Sequence, residues 1–427
     1  MRYMRLRDSS VAHGRKRKAS AIAIGVISIL CLISFLISQN FVTTLPSTPA
    51  FFGVGRSIQY LSWFQSLSSN ELVEAVNITY DIEYVLQTQR KNITKALQRY
   101  RFPNGQYNIS AKNLDELVLE KGGRPIRSII VTTWRSGSTF LGDILDSVPG
   151  NFYHYEPLLH RGIVQIRGPP HSRSALDHLK HLMTCNYDVA DEDMDNYLSY
   201  GVDHKELFAH NRRLWEKCVA YPHLCYHPQF LKKFCSLFPF QSMKIVRVRL
   251  NLIEKLLLDP SLGIKVLFVV RDPRGTMQSR KHRGWCPGNK DCWDSRVLCA
   301  DLTADFSAAL RLKKKFPDTF RAVRYEDISI NPYEGAKKIL KFFGREFVPE
   351  VRRFLDTHTV HNIGGVSSTY RNSKSAPFHW RGELTHGEVR YIQDSCKTAM
   401  AAWGYVSAMN ATHQKTFDPI KGHFALE

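Results

Sequence analysis

The sequence predicts an α/β fold in which a parallel β-sheet is covered by helices. The first strand candidate, residues 126–133, is rich in β-branched and apolar residues without alternation, which is typical of a strand buried on both faces. Repeated strand–helix order favours a parallel sheet whose strand carboxyl ends share one edge, where ligands of such sheets bind. The predicted strands, each with its helix, are 126–133 with 140–148, 243–248 with 252–258, 264–270 with 275–283, and 320–325 with 335–343.

The amino-terminal residues predict a membrane anchor. Residues 1–18 contain seven Lys or Arg and one Asp, and residues 19–38 form an uncharged apolar run. A run of this length suits a membrane span, and the basic residues before it predict a cytoplasmic amino terminus. A cleaved signal peptide is the alternative, but the run is longer than usual and no clean cleavage site follows it. We expect a type II protein with the residues after about position 39 in the lumen.

The residue composition after the predicted anchor indicates where the stem ends and the main domain begins. Residues 40–50 are rich in Ser, Thr and Pro, as in a stem, and residues 71–100 predict a helix. Gly122 and Gly123 precede the first strand, so we place the start of the main domain there. The predicted organisation is a cytoplasmic tail (1–18), an anchor (19–38), a stem with a helical segment (39–122), the main domain (123–410) and a carboxyl-terminal tail (411–427).

Charge and sequons agree with a luminal location. The formal net charge is +20, and most of it lies beyond the basic tail. In a secretory compartment such an excess favours anionic small molecules or acidic glycans over nucleic acid as partners, although a solvated basic surface is the simpler alternative. Four Asn-x-Ser/Thr sequons follow the predicted span, at Asn77, Asn92, Asn108 and Asn410.

Cysteine usage also indicates an oxidising compartment. Cys31 lies in the predicted span, and the remaining eight cysteines are an even number, although the sequence does not decide their pairing. Cys286 and Cys292 flank a Pro-Gly-Asn turn and are candidates for a local bridge. A zinc site is the alternative, but no Cys-x-x-Cys spacing occurs, so we expect no metal.

The loop after the first strand predicts an anion site. Arg135, Ser136, Gly137, Ser138 and Thr139 connect the carboxyl end of a strand to the amino end of a helix, where free N–H groups and the helix dipole favour an anion. The spacing of a nucleotide-triphosphate P-loop is absent, and Arg135 precedes the glycine in place of a lysine after it. An arginine fork suits phosphate or sulfate. A purely structural turn has the same pattern, so a second motif is needed.

A second candidate anion site follows the most apolar strand. Arg271 directly follows residues 264–270, at the same sheet edge as Arg135, and Ser279 lies one turn into the next helix. Two separate anion sites at one edge indicate a ligand that is phosphorylated at two places.

The two motifs together resemble the 5′-phosphosulfate loop and the 3′-phosphate motif of sulfotransferases. The sequence Arg-Ser-Gly-Ser-Thr in particular is similar to that of the Golgi carbohydrate 6-O-sulfotransferases, which include keratan and chondroitin sulfotransferases. Residues 171–241 match nothing in that family, so the acceptor stays open. The resemblance covers roughly residues 126–406 and includes, in family order, residues 154–158, 323–327, 371–372, 380–381, Cys396 and 404–405.

The resemblance implies a fold, a donor and a set of binding residues. The family fold is related to that of P-loop kinases, and its donor is 3′-phosphoadenosine 5′-phosphosulfate, with no metal. The family acts in the Golgi membrane on a glycan or glycosaminoglycan acceptor, and a homodimer is one option for its assembly. Arg271 and Ser279 would hold the 3′-phosphate. The 5′-phosphosulfate would be held by Arg135, Ser136, Gly137, Ser138, Thr139 and Phe140, with Thr139 in place of a frequent Ser.

The chemistry requires a base for the acceptor hydroxyl and cations for the departing phosphate. Arg135 suits the second role. Glu156 is the candidate base, because the family's Glu-Pro-Leu segment falls on it. His154 and His160 are alternatives, and a structural ion pair of Glu156 with an arginine is another. We expect Glu326 and Asp327 to cap a helix or to orient the site.

Two other functions are compatible with parts of the sequence. A Golgi glycosyltransferase would share the anchor, stem and sequons, and residues 191–193 (Asp-Glu-Asp) would be its metal-binding motif, although they follow no apolar strand. A basic, non-enzymatic glycan-binding protein would explain the charge but leave both phosphate motifs without a role.

Overall fold

The computed structural model describes residues 69–105, 109–365, 368–420 and 424–426. The predicted tail and anchor, residues 1–38, and the sequon at Asn108 lie outside them. Within the described residues, no helix combines the length and the apolar character that a membrane crossing requires. The chain divides into two units, Met1–Leu72 and Val73–Glu427, and nearly all described residues belong to the second.

A five-stranded parallel sheet forms the centre of the described part of this unit. Its strands pair in the order β2-β3-β1-β4-β5, and every pairing is parallel, so the predicted α/β architecture is confirmed. All residues of β1, β3 and β4 are buried, which explains their continuous apolar character. The strands are β1 (Ile126–Val131), β2 (Asn151–Tyr155), β3 (Phe240–Ile245), β4 (Ile264–Val270) and β5 (Phe320–Arg324).

The structure differs from the prediction at two strands. β2 was missed, and β3 begins at Phe240 and not at residue 243. Both strands carry polar residues that are buried because they bond to each other, as Asn151 Nδ2 donates to Ser242 Oγ at 2.8 Å. Gln241 Nε2 likewise donates to Cys185 Sγ at 3.1 Å. A prediction based on apolar runs does not detect such strands.

A buried arginine connects the amino ends of three strands. Arg345 donates to Asn151 Oδ1 on β2 at 2.7 Å and to Ser128 Oγ on β1 at 3.0 Å. It also donates to the carbonyl of Gln241 on β3 at 2.9 Å. These bonds lie at the edge opposite to the strand carboxyl ends.

Helices cover both the sheet and its connections. The predicted helices after β1, β3, β4 and β5 are confirmed with shifted ends. The described helices are α1 (Ser69–Ala96), α2 (Ser138–Ser147), α3 (Ser172–Met183), α4 (Glu192–Asp203), α5 (Glu206–Ala209), α6 (Arg212–Ala220), α7 (Pro228–Cys235), α8 (Leu250–Leu257), α9 (Pro273–Lys281), α10 (Lys290–Trp293), α11 (Ser295–Lys315), α12 (Tyr325–Ile330), α13 (Pro332–Phe342), α14 (Pro349–His358), α15 (Trp380–Glu383), α16 (His386–Ala402) and α17 (Ala411–Thr416).

The hydrophobic core extends beyond the predicted domain boundaries. Val85 and Leu86 on α1 belong to the same core cluster as the sheet, so part of the predicted stem packs with the domain. Phe424 and Leu426, from the predicted carboxyl-terminal tail, belong to it as well. The sequons at Asn77 and Asn92 on α1 and at Asn410 are exposed.

The eight cysteines in the described residues form four disulfides. The local bridge predicted between Cys286 and Cys292 is present. The bridge between Cys299 and Cys396 joins α11 to α16. The other two pairs are Cys185–Cys235 and Cys218–Cys225.

Candidate active site

A cavity of about 1190 Å³ opens at the carboxyl edge of the sheet. It is lined by both predicted anion motifs and by the candidate base. Of the site residues expected from the sequence, those that line it are Arg135, Gly137, Ser138, Thr139, Phe140, Glu156, Arg271 and Ser279.

The loop at residues 135–139, here called the arginine loop, turns sharply into α2. Arg135 and Gly137 have φ angles of 67° and 82°, in the left-handed region. A Cβ atom on Gly137 would lie 2.2 Å from the ring of Tyr325, so this position requires glycine for both space and conformation. The turn brings the amino end of α2 to the cavity.

Ser136 is the one predicted site residue that does not line the cavity. Its hydroxyl is buried and donates to the carbonyl of Thr133 at 3.0 Å. The same hydroxyl accepts a hydrogen bond from Thr132 Oγ1 at 2.6 Å. The Ser136 side chain therefore supports the arginine loop from within, and the part of Ser136 in holding the 5′-phosphosulfate stays a prediction.

The two anion motifs contact each other. Arg135 Nε donates to Ser279 Oγ at 3.0 Å, and Arg271 Nη1 donates to the carbonyl of Arg135 at 2.9 Å. Burial first, and the positive charges of Arg283 and Arg271 second, lower the pKa of Arg135 to about 10. Because clustered cations destabilise one another, an anion bound among them is stabilised. The motifs form one continuous cationic site.

Glu156 follows β2 and is held by two cations from β3 and the residues after it. Its Oε1 lies 2.7 Å from Lys244 Nζ and its Oε2 lies 2.7 Å from Arg247 Nη1. Burial alone would raise the pKa of Glu156, but the charges and hydrogen bonds of Lys244 and Arg247 lower it to about 2. Lys244 Nζ also donates to Thr139 Oγ1 at 3.3 Å, and so connects Glu156 to the arginine loop.

Lys244 and Arg247 were missed by the sequence analysis. They interrupt an apolar stretch, Met243 to Val248, that was itself predicted as a strand. Lys244 lies in β3 and Arg247 two residues after it, and both are buried. Two buried cations need partners, and that requirement was the available signal.

The two histidines considered as bases lie away from the cavity, although the structure describes both. The ring of His154 is buried beside Tyr187, and burial lowers its pKa to about 3. His160 Nε2 lies 2.8 Å from Asp193 Oδ1. Five other histidines of the described residues line the cavity, and one of them, His210, stacks on Tyr155 with ring centroids 3.7 Å apart.

Asp193 belongs to a structural cluster behind the site. The ligand atoms of His160, His178 and Asp193 lie within 4.8 Å of one another, a geometry that can hold a metal. Arg161 Nη2, however, lies 2.6 Å from Asp193 Oδ2 and supplies the positive charge there. Asp191 caps α4 through the N–H of Asp193. Among the described residues that line the cavity, none belongs to the Asp-Glu-Asp motif at residues 191–193.

Glu326 orients the second motif. It accepts from the N–H of Asp272 at 3.0 Å and from Tyr405 OH at 2.9 Å. Burial, and then the charge of Asp272, raise the pKa of Glu326 to about 7. Asp327 pairs with Arg324. The bond from Glu326 to Asp272 fixes the start of α9, because Asp272 is the residue between Arg271 and that helix.

Comparison with known proteins assigns the chain to a family. The family described as sulfotransferase domain matches residues 125–404. Carbohydrate sulfotransferase 5 of Mus musculus is 26% identical over 336 residues, which are 69% of this chain and 84% of that protein. Carbohydrate sulfotransferase 1 of Rattus norvegicus is 26% identical over 362 residues, 73% of this chain and 84% of that protein. Among solved structures, the sulfotransferase domain of the Synechococcus olefin synthase is 17% identical, covers 64% of this chain and 94% of its own, and has a TM-score of 0.33.

Proposed function

Since the chain belongs to the sulfotransferase family and is a sulfotransferase, we propose that it transfers a sulfuryl group from 3′-phosphoadenosine 5′-phosphosulfate to the 6-hydroxyl of a sugar in a glycan or glycosaminoglycan. The observation that carries the proposal is the direct contact of the two anion motifs within one cavity. The curated relatives are carbohydrate sulfotransferases, which supports a sugar acceptor.

The donor has two anionic ends, and the cavity has residues for each. The N–H groups at the start of α2, with Arg135, Ser138 and Thr139, suit the 5′-phosphosulfate, because helix dipole and guanidinium both favour negative charge. Arg271 and Ser279 suit the 3′-phosphate. Phe140 lines the same cavity and offers an apolar surface beside the arginine loop.

The transfer is an in-line displacement at sulfur. The acceptor oxygen forms the new S–O bond, the bond to the 5′-phosphate breaks, and adenosine 3′,5′-bisphosphate leaves with the negative charge. Arg135 and the loop N–H groups stabilise that charge. Lys244, which contacts both Glu156 and Thr139, is positioned between the two ends of the reaction.

Glu156 accepts the proton of the acceptor hydroxyl. A carboxylate with a pKa of about 2 is a weak base, so it acts through position more than through intrinsic basicity. The loose transition state expected for this kind of transfer requires little removal of the proton before the new bond forms.

We also propose that the enzyme works on the luminal side of the Golgi membrane, held by residues 19–38. Four disulfides and the exposed sequons at Asn77, Asn92 and Asn410 support an oxidising secretory compartment.

The test is transfer of radiolabelled sulfate by the purified full chain to a glycan panel, followed by disaccharide analysis. The panel contains an N-acetyllactosamine oligosaccharide, desulfated keratan, desulfated chondroitin and N-linked glycans. We expect label at a sugar 6-position without added metal. Absence of transfer to every glycan, in a protein that binds adenosine 3′,5′-bisphosphate, would refute the acceptor class. Binding of a nucleotide sugar with Mn²⁺ in place of the bisphosphate would refute the donor.

A further inference from the structure

An exposed tryptophan lines the cavity. Trp285 follows α9, and 42% of its surface is accessible. Trp285 thus presents an apolar aromatic face inside the cavity, which a ligand can cover.

Trp285 packs its ring against a small hydrophobic cluster that is separate from the main core. Its ring meets the buried ring of Trp134 edge to face, with centroids 6.4 Å apart. Trp134 packs in a cluster of its own with Val246 and the disulfide-bonded Cys286 and Cys292, next to Ile163. The indole therefore projects from a packed surface and not from a free loop. This surface, here called the wall, consists of Trp134, Ile163, Val246, Cys286 and Cys292.

A buried arginine holds this wall to the arginine loop. Arg280 donates to the carbonyls of Cys292 at 2.8 Å and of Trp134 at 3.2 Å, and to Thr133 Oγ1 at 2.6 Å. The position of Trp285 is thus fixed relative to the residues that bind the donor.

The contacts of this wall lead to the candidate base. The ring of Trp134 lies 5.6 Å from the guanidinium of Arg247, which bonds to Glu156 Oε2 at 2.7 Å. A base must lie beside the acceptor hydroxyl, so the surface next to Glu156 belongs to the acceptor part of the cavity.

We propose that the acceptor glycan binds over Trp285, with the face of one pyranose ring stacked on the exposed indole. This inference rests on the proposed function. The C–H groups on one face of a pyranose are apolar and meet the negative face of an aromatic ring, while its hydroxyls stay at the rim for solvent and polar side chains. The site therefore selects a ring-shaped polyol, and the ring stacked on Trp285 sets which hydroxyl reaches Glu156.

The experiment compares Trp285→Ala and Trp285→Phe with Trp293→Ala in the full chain. Trp293 is a matched control, because it is 45% exposed and directly follows Cys292, as Trp285 directly precedes Cys286 in the same disulfide, but it does not line the cavity. KM and kcat are measured with the best acceptor of the glycan panel, and the affinity for adenosine 3′,5′-bisphosphate is measured by calorimetry.

We expect Trp285→Ala to raise the acceptor KM on the order of ten-fold, Trp285→Phe to recover part of the loss, and Trp293→Ala to change neither. Bisphosphate affinity should be unchanged in all three variants. An unchanged acceptor KM in Trp285→Ala, with transfer intact, overturns this inference alone. A selective loss of bisphosphate affinity overturns it too, since Trp285 would then stack on adenine. If no glycan accepts sulfate, the proposed function fails first.

Discussion

At the scale of single residues, the proposed site places a cluster of arginines near an ionised carboxylate, Glu156. Arg135 and Arg271 contact each other, and Glu156 is paired with Lys244 and Arg247. The proposed anionic donor would add negative charge where the two arginines meet, while Lys244 and Arg247 keep Glu156 ionised at the proposed acceptor side.

Glu156→Gln should lower the transfer rate by about 10²–10⁴ and leave the affinity for adenosine 3′,5′-bisphosphate unchanged, because the amide keeps the shape but is not a base. Single-turnover kinetics and calorimetry measure the two effects. Glu383→Gln is the matched control, since Glu383 also lines the cavity but pairs with His282. Fast transfer by Glu156→Gln would show that another group takes the proton.

The same carboxylate predicts a pH dependence of stability. Its pKa in the folded protein, about 2, lies below the ordinary value of 4.5, so its ion pairs contribute stability above pH 4.5 that is lost as the pH falls toward 2. Chemical unfolding should therefore show the difference between the wild type and Glu156→Gln shrinking over this interval.

Ser279→Ala tests the second anion motif more cleanly than a change of Arg271, which also holds the carbonyl of Arg135. We expect the variant to lose affinity for adenosine 3′,5′-bisphosphate by roughly ten- to a hundred-fold. Affinity for adenosine 5′-monophosphate, which lacks the 3′-phosphate, should stay the same. Equal losses for both ligands would mean that Ser279 acts through its bond to Arg135.

At the scale of elements, the residues of the proposed site lie mainly on strand-to-helix connections. The sequence predicted the β1–α2 and β4–α9 connections because each combines an apolar strand with a recognisable polar motif. It missed β2, and with β3 misplaced it missed the role of Lys244, because buried polar residues there are satisfied only by partners distant in sequence. The edge of the sheet could be predicted from local pattern, whereas the pairing of charges across it could not.

Gly137→Ala should disrupt the β1–α2 connection. The added Cβ atom would lie 2.2 Å from the ring of Tyr325, and the φ angle of 82° disfavours any side chain. We expect a large loss of donor affinity, measured by calorimetry. Gly284→Ala is the control, because nothing lies within 4 Å of its added Cβ atom. Normal donor binding by Gly137→Ala would show that the loop tolerates displacement.

At the scale of the whole molecule, the domain is larger than the family match. The family match covers residues 125–404. However, α1 and the segment after α17 pack in the same hydrophobic core as the sheet. Local composition predicted the start of the domain at Gly122 and Gly123. The burial of α1, in contrast, depends on residues that lie much later in the sequence.

A chain shortened to begin at residue 123 should therefore be much less stable than one that begins at residue 69. The shorter chain exposes the surface that Val85, Leu86 and Ile93 cover, and uncovered apolar area of this kind promotes aggregation. Thermal unfolding after secretion compares the two chains. Equal unfolding temperatures would mean that α1 contributes little to the fold.

Arg345 has a consequence for how the protein is made. Its bond partners on β1 include Ser128, from which it is separated by 217 residues. In a chain that emerges from the ribosome amino terminus first, Ser128, Asn151 and Gln241 all leave before the guanidinium that pairs with them. These polar groups therefore lack their partner until most of the domain has been synthesised, so the amino edge of the sheet is completed late in biosynthesis.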